Sequence, residues 1–387
     1  MKIDALLKRE DFYGILENTL NDYYKNIIHT DVTVKVGNNS IKNPVVVYPK
    51  LNRIIKRLPA KPIVKGIYRG FNVNDNTIKR IVAKAYITAL IGSFGLLASK
   101  SISFSDISVF SSHHEICPGN KKIRINNLST GISDVVMKKG FDDLYFRNEM
   151  SFRLNNTADY LVPVYESGEN WYREKLISGV SLARITDKSL FDKSLRCALK
   201  YLGEIIDSSL RYVPGKEYAE QLKAELYAGI DRIFAEKKDL KYSRNDIEKT
   251  TEKLIEDVKN IKEIPVANSH GDFQTGNVVV GDDGKVYLID WETYKLRSIW
   301  YDSVTSLAYT RRAGSWKKIL KNKDEKYICD DIFYFDSRKN CSADEALSVL
   351  LLEDLSFRIT DSLMVPGSLG CESINEFFNE IYSEVIK

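Results

Sequence analysis

SHGDFQTGNVVVGDDGKVYLIDWE, residues 269–292, sets three polar residues into apolar, strand-like surroundings. Asn277 follows Asp272 by five residues and Asp290 follows it by eighteen. Val278–Val280 and Val286–Ile289 read as two strands, joined by the turn Gly281-Asp282-Asp283-Gly284. A hairpin brings its open ends together. Asn277 and Asp290 are therefore expected to approach each other, although thirteen residues separate them. Asp282 and Asp283 read as turn-capping residues.

An acid, an amide and a second acid at these positions suit phosphoryl transfer. Oxygen ligands must hold Mg²⁺ against a triphosphate, because charge builds on the phosphoryl oxygens. A carboxylate must orient the attacking hydroxyl and take its proton. An Asp with an Asn five residues on, and a second Asp on a following hairpin, is the kinase arrangement. It assigns Asp272 as base, Asn277 as a metal ligand and Asp290 as the main metal ligand.

HGDFQTGN followed by LIDWE resembles the aminoglycoside phosphotransferase and choline kinase group, relatives of the protein kinases. The likeness covers about residues 105–387 in layout and is specific around 269–292. It implies an α+β, bilobal, protein-kinase-like fold: a small antiparallel β lobe, then a larger helical lobe. It also implies ATP or GTP with Mg²⁺, and transfer to a hydroxyl of a small molecule or sugar. By the same resemblance, Lys138 in VVMK matches the lysine that reaches the phosphates, and Glu149 its ion-pair partner on a helix. Lys139 is the alternative; the apolar VVM run before Lys138 favours the first. EKLISGVSL resembles the hinge between lobes, where backbone groups from Lys175 to Ile177 would bind the nucleotide base. Asp302 matches an aspartate that braces the catalytic loop, and His270 is expected to orient that loop rather than carry protons.

The pattern departs from the family at the phosphate loop. Cys117-Pro118-Gly119-Asn120 offers one glycine where a glycine-rich turn is expected. Protein-kinase identity is disfavoured, because Gly271 stands where an arginine would read a phosphorylated loop, and DWE replaces DFG.

Outward from this core, the domain plan is a basic extension at 1–104, an upper lobe at 105–176 and a helical lobe at 177–387. Residues 4–27 have helical spacing. DVTVKV and VVVYP read as a hairpin around Gly37-Asn38-Asn39, and LNRIIKRL (51–58) as a short basic amphipathic stretch ended by Pro59. The uncharged run 85–99 is about 15 residues, short of the roughly 20 needed to cross a bilayer. It reads as a buried helix, with an interfacial or re-entrant segment as the alternative. Periodic runs at 189–212, 216–236, 245–262, 297–310, 343–360 and 372–386 read as helices.

The 387 residues are 43% hydrophobic, enough for two to three folding units. The net charge of +4 is uneven: residues 1–100 hold 17 Lys or Arg and 7 Asp or Glu. Such a region suits an anionic membrane surface or an anionic glycan as partner. No nucleic-acid motif accompanies the charge, so no nucleic acid is expected. Five cysteines without a CxxC pair and only four histidines give no zinc site or disulfide framework. The start MKIDALLKREDF lacks the apolar core of a signal peptide, so the expected location is cytoplasmic, or peripheral to the inner membrane face. The acceptor is open between an envelope glycan or metabolite and an aminoglycoside-type antibiotic. For a polycation, Asp330, Asp331, Asp336, Glu353, Asp354 and Asp361 would be the acidic candidates. A catalytically inactive binding module is the remaining alternative.

Overall fold

The computed structural model describes residues 2–71, 77–236, 239–307, 314–321, 342–364 and 370–385. The chain opens with α1 (Ile3–Arg9), α2 (Phe12–Asp22), β1 (Val34–Asn38), β2 (Val45–Tyr48), β3 (Arg53–Lys56), α3 (Lys61–Phe71), α4 (Thr77–Gly92) and β4 (Lys100–Phe104). There follow β5 (His114–Pro118), β6 (Lys122–Asn127), β7 (Ile132–Met137), α5 (Leu144–Asn155), β8 (Val164–Ser167), β9 (Trp171–Lys175) and β10 (Gly179–Ser181). Next are α6 (Lys188–Ser209), β11 (Arg211–Val213), α7 (Gly215–Glu236), α8 (Arg244–Lys259), β12 (Ile264–Ser269), β13 (Val278–Gly281), β14 (Val286–Leu288) and β15 (Lys295–Ser298). The chain closes with α9 (Tyr301–Leu307), α10 (Ser315–Lys321), α11 (Ala343–Leu363) and α12 (Gly370–Val385). The fold class is α+β, in two compact units: Met1–Leu195 with Val278–Ile289, and Arg196–Asn277 with Asp290–Lys387.

The first unit is built on one antiparallel sheet of nine strands, in the order β1-β4-β2-β3-β5-β6-β7-β9-β8. The 104/105 boundary expected from the sequence runs through this sheet, since β3 pairs with β5. Two local expectations change with it. The runs around Gly37 do not form a hairpin; β4 lies between β1 and β2 and pairs with both. LNRIIKRL supplies a strand, turned into β3 by Asn52 in the left-handed conformation (φ 54°). The apolar period misleads there because Ile54 and Ile55 are both buried, on opposite faces of a covered sheet.

Alternation assigns each face its helices. Val45, Val47, Ile54, Ile116, Ile125 and Val136 bury against α1 and α2. Val46, Tyr48 and Ile55 bury with Ile63 and Ile67 of α3 and Ile87 and Leu90 of α4. On that second face, Val135 and Tyr172 pack against Phe146 and Met150 of α5. Each fully buried Val or Ile side chain contributes about 1.5–3 kcal/mol. Between these two apolar patches the second face is polar, with Arg53, Glu115 and Asn126. The helix expected over 4–27 is broken after Arg9, where Asp11 caps α2 through the Gly14 amide.

The second unit is mainly helical, with a small sheet of β11, β12 and β15. Capping boxes start α8 (Ser243 with Asp246) and α11 (Ser342 with Glu345). Gly229 lets α7 approach α11: a methyl group there would strike Ile359. Among the described residues no helix is long and apolar enough to cross a membrane.

Candidate active site

In the second unit, β12 leads into the loop Ser269–Gln274. Gly271 has φ +80°, and a Cβ there would meet the Thr293 carbonyl and, at 2.6 Å, the Arg297 guanidinium. Only glycine fits this bend. Asp302, buried in the first turn of α9, accepts from the backbone amides of His270 (2.7 Å) and Gly271 (2.8 Å). His270 is fully buried, with its ring 4.4 Å from that of Trp291. Its Nδ1 accepts from the Asp272 amide at 3.4 Å, and its carbonyl accepts from the Thr293 hydroxyl at 3.1 Å. These contacts make His270 a support for the loop.

Asp272, half-buried, presents a carboxylate that accepts from Asn277 Nδ2 at 2.9 Å and Gln274 Nε2 at 3.0 Å. Asn277 Nδ2 also donates to the Asp272 carbonyl at 2.9 Å. With its nitrogen engaged twice, the Asn277 amide turns its oxygen away from Asp272. The pairing Val278–Leu288 in β13 and β14 makes Asn277 and Asp290 the flanks of one hairpin end. Asp290 sits in the left-handed region, with φ 68° and ψ 57°. A non-glycine residue in that region stores strain, a frequent mark of a functional position.

Among the described residues, no group of three or more His, Cys, Asp or Glu side chains forms a metal cage. A carboxylate and an amide oxygen are nonetheless a hard donor set of the kind Mg²⁺ takes with phosphate oxygens and water. Asn277 and Asp290 supply donor atoms of that kind.

In the first unit the expected Lys138–Glu149 pair does not form. Alternation along β7 turns Val135 toward α5 and Val136 away from it, and Lys138 lies on the Val136 side. Lys138 is fully buried, 2.6 Å from Glu10 Oε1, and donates to the Asn120 carbonyl at 3.0 Å. Arg9 also donates to that carbonyl, at 2.9 Å, and to the Asn120 side chain. Lys138 and the end of α1 thus clamp the turn between β5 and β6, where a phosphate loop was expected. Lys139 pairs at the surface with Asp22, at 2.9 Å.

Glu149 is met by Lys122, whose Nζ stands 2.6 Å from Oε2. Tyr172 donates to Glu149 at 3.1 Å, and Arg153 lies 3.5 Å away. Arg153 also pairs with Glu174, at 2.8 Å, and Arg124 is a second partner of Glu174. Lys122 was missed by sequence reasoning, yet the signal was present. In KKIRIN, Lys122, Arg124 and Asn126 alternate with Ile123 and Ile125, and so share one face.

The hinge-like stretch lines a cavity of about 640 Å³ in the first unit. Leu176 to Ser181, Glu115 and Asn126 of the sheet, and Lys65 and Arg69 of α3 form its walls. The Lys175 amide donates to the Pro163 carbonyl (3.0 Å) and the Leu176 amide to the Gly131 carbonyl (2.8 Å). Ile177 is then the residue of the Lys175–Ile177 stretch whose backbone groups have no partner among the described residues.

Two acidic candidates for a polycation pocket are spent internally. Buried Glu353 accepts from the Ser298 amide (2.6 Å), the Ser298 hydroxyl (2.7 Å) and Tyr218. Buried Asp354 accepts from Trp316 Nε1 (2.7 Å) and Arg358 (2.8 Å). Asp330, Asp331 and Asp336 lie outside the described residues.

No curated protein sequence matches the chain. Among solved structures it is similar to an ethanolamine kinase of Plasmodium vivax, at 13% identity and a TM-score of 0.45, over 86% of this chain and 97% of that one. It is also similar to a choline/ethanolamine kinase family protein of Mesorhizobium loti (10%, TM-score 0.46, 71% and 88% covered). A third is a choline kinase of Streptococcus pneumoniae (12%, TM-score 0.42, 70% and 89% covered). Residues 210–332 match the sequence model of the phosphotransferase enzyme family, APH. That segment, about a third of the chain, carries Asp272, Asn277 and Asp290.

Proposed function

We propose that the protein is a Mg²⁺-dependent phosphotransferase that moves the terminal phosphate of ATP or GTP to a hydroxyl of a small molecule or sugar. The observation that carries this reading is the Asp272–Asn277 pair on a loop held by Asp302. Asp272 orients the acceptor hydroxyl and takes its proton as that oxygen attacks the terminal phosphorus and the bond to the nucleoside diphosphate breaks. Asn277 restrains the Asp272 carboxylate through Nδ2 and keeps Oδ1 for the metal. Mg²⁺ held by Asn277 and Asp290 would offset the charge on the phosphate oxygens. In the first unit, the phosphate-ordering role expected of Lys138 is assigned to Lys122, and base recognition to Ile177 beside the cavity.

The acceptor hydroxyl belongs to a metabolite or envelope glycan rather than an aminoglycoside. Two of the acids that a polycation would need are already bonded inside the second unit. The test is transfer of labelled terminal phosphate to a panel of monosaccharides, envelope oligosaccharides, choline, ethanolamine and aminoglycosides. A phosphorylated product from the parent, reduced about 10²–10⁴-fold in Asp272→Asn with nucleotide binding kept, is expected. Tight nucleotide binding with no product from any acceptor would favour the inactive binding module instead.

A further inference from the structure

The outer side of α4 is apolar where a surface helix should be polar. Ile87 and Leu90 face the sheet and are buried. On the opposite side Ile78, Ile81, Val82 and Tyr86 are 45–72% exposed. Their i, i+3, i+4, i+8 spacing makes them one stripe. The uncharged run expected to be a buried helix is therefore buried only in part, and it ends in an exposed turn.

That turn belongs to a built tip. The Asn39 side chain donates to the carbonyls of Gly95 (2.8 Å) and Ala98 (3.1 Å). Arg57 donates to the Phe94 carbonyl (2.8 Å), to Asn39 Oδ1 (2.8 Å) and to the Ser40 carbonyl (2.7 Å). Two turns, one after β1 and one after α4, are thereby tied together. They present Ile41, Phe94, Leu96 and Leu97, with Leu58 next to Arg57, each 60–76% exposed. A core gains nothing from apolar side chains held outward on a hydrogen-bonded frame.

Charge identifies the occupant. From Gly37 to Lys100 the chain has twelve Lys or Arg residues and one acid, Asp75; Arg53, Lys61, Lys65 and Arg69 of these line the cavity and Lys50 pairs with Asp4. Of the others, Lys42 adjoins Ile41, and Lys84 flanks the α4 stripe; both are exposed. Apolar tips within a cationic surface match the boundary of an anionic bilayer, where acyl chains take the tips and headgroups take the cations. We infer that the tip formed by Ile41, Leu58, Phe94, Leu96 and Leu97, with the outer stripe of α4, docks the protein on an anionic lipid surface, Phe94, Leu96 and Leu97 entering the interface. This goes beyond the proposed catalysis and does not depend on it.

The experiment is co-sedimentation of the full chain with vesicles of phosphatidylcholine alone, or of phosphatidylcholine with phosphatidylglycerol. The parent should pellet with the mixed vesicles and remain in solution with the neutral ones. Raising salt from about 0.1 M to 1 M should release it, as the screening length falls from about 10 Å to 3 Å. Leu96→Asp/Leu97→Asp should lose about tenfold or more in binding. Lys42→Glu/Lys84→Glu, a surface change that spares the apolar tips, should also lose about tenfold. Thermal unfolding of both variants should match the parent. No pelleting of the parent, or equal pelleting with both vesicle types, overturns the inference. So does a parent dimer in light scattering that the Leu96→Asp/Leu97→Asp change disperses while vesicle binding is absent.

Discussion

Lys122 on β6 and the buried Glu149 on α5 form an ion pair, 2.6 Å from Nζ to Oε2. Glu149 is also held by Tyr172, so its carboxylate has a fixed orientation before any ligand arrives. The lysine comes from the strand beside β7, at the position that pairs in register with Met137. A side chain at Met137 points toward α5 and one at Lys138 points away, so the neighbouring strand can fill the same face.

Lys122→Met is accordingly expected to lower turnover by about 10²–10³-fold, the range for losing one preorganised donor to a developing charge. Lys138→Met should leave the Glu149 cluster intact and change turnover far less. Steady-state kinetics on the two variants, with a confirmed acceptor, decide between them. A larger loss from Lys138→Met would return the phosphate role to Lys138.

Lys138 has a different signature, in pH. Burial lowers its pKa to about 8, against the opposing pull of Glu10. The unfolded amine titrates near about 10.4. Between those values the unfolded chain binds more protons, so this group's contribution to stability rises with pH. Thermal unfolding followed from about pH 7 to pH 10 should show the parent gaining on Lys138→Met as pH passes 8. Parallel curves for the two proteins would contradict the assignment.

The legible part of the molecule was the part written in local sequence. The hairpin within residues 269–292 was readable because Asp272, Asn277 and Asp290 flank apolar runs at fixed spacings, and its register follows from alternation. Helices such as α7, α8 and α11 were readable from their period. What escaped depends on pairing over long separations. Nothing local to Val34 or Val45 says that β4, more than fifty residues on, will lie between them. The partner of Lys138 is Glu10, 128 residues away. The uncharged run at 85–99 read as a buried helix from its lack of charge, but lack of charge does not say which face has a partner.

Asp302 offers a test of the loop brace. Its carboxylate is the acceptor for two backbone amides, and both bonds are buried. Asp302→Ala leaves both amides unmatched, at about 1–3 kcal/mol each. Asp302→Asn keeps one acceptor oxygen and should lie between parent and Ala in thermal stability. Turnover should fall in the same order, with nucleotide affinity changing less, because the brace orients His270 and Gly271 rather than ligand. Parent-like stability in Asp302→Ala would show that the loop is held by other contacts.

Asp290 joins a proposed metal role to a strained backbone, and two substitutions separate them. Its φ of 68° and ψ of 57° lie in the left-handed region. There an alanine costs roughly 1–2 kcal/mol, and glycine has no such penalty. Both Asp290→Ala and Asp290→Gly remove the carboxylate and any contacts it makes. Their difference in stability therefore isolates the backbone. Asp290→Gly is expected to be more stable than Asp290→Ala by about 1 kcal/mol in denaturant unfolding. Both should lose the increase in nucleotide affinity that Mg²⁺ gives the parent in calorimetry. If Asp290→Gly kept that increase, the carboxylate would not be a metal ligand. If the two variants were equally stable, the left-handed conformation would not survive loss of the aspartate. The bend after β14 would then be set by the Asp290 side chain, not by the chain around it.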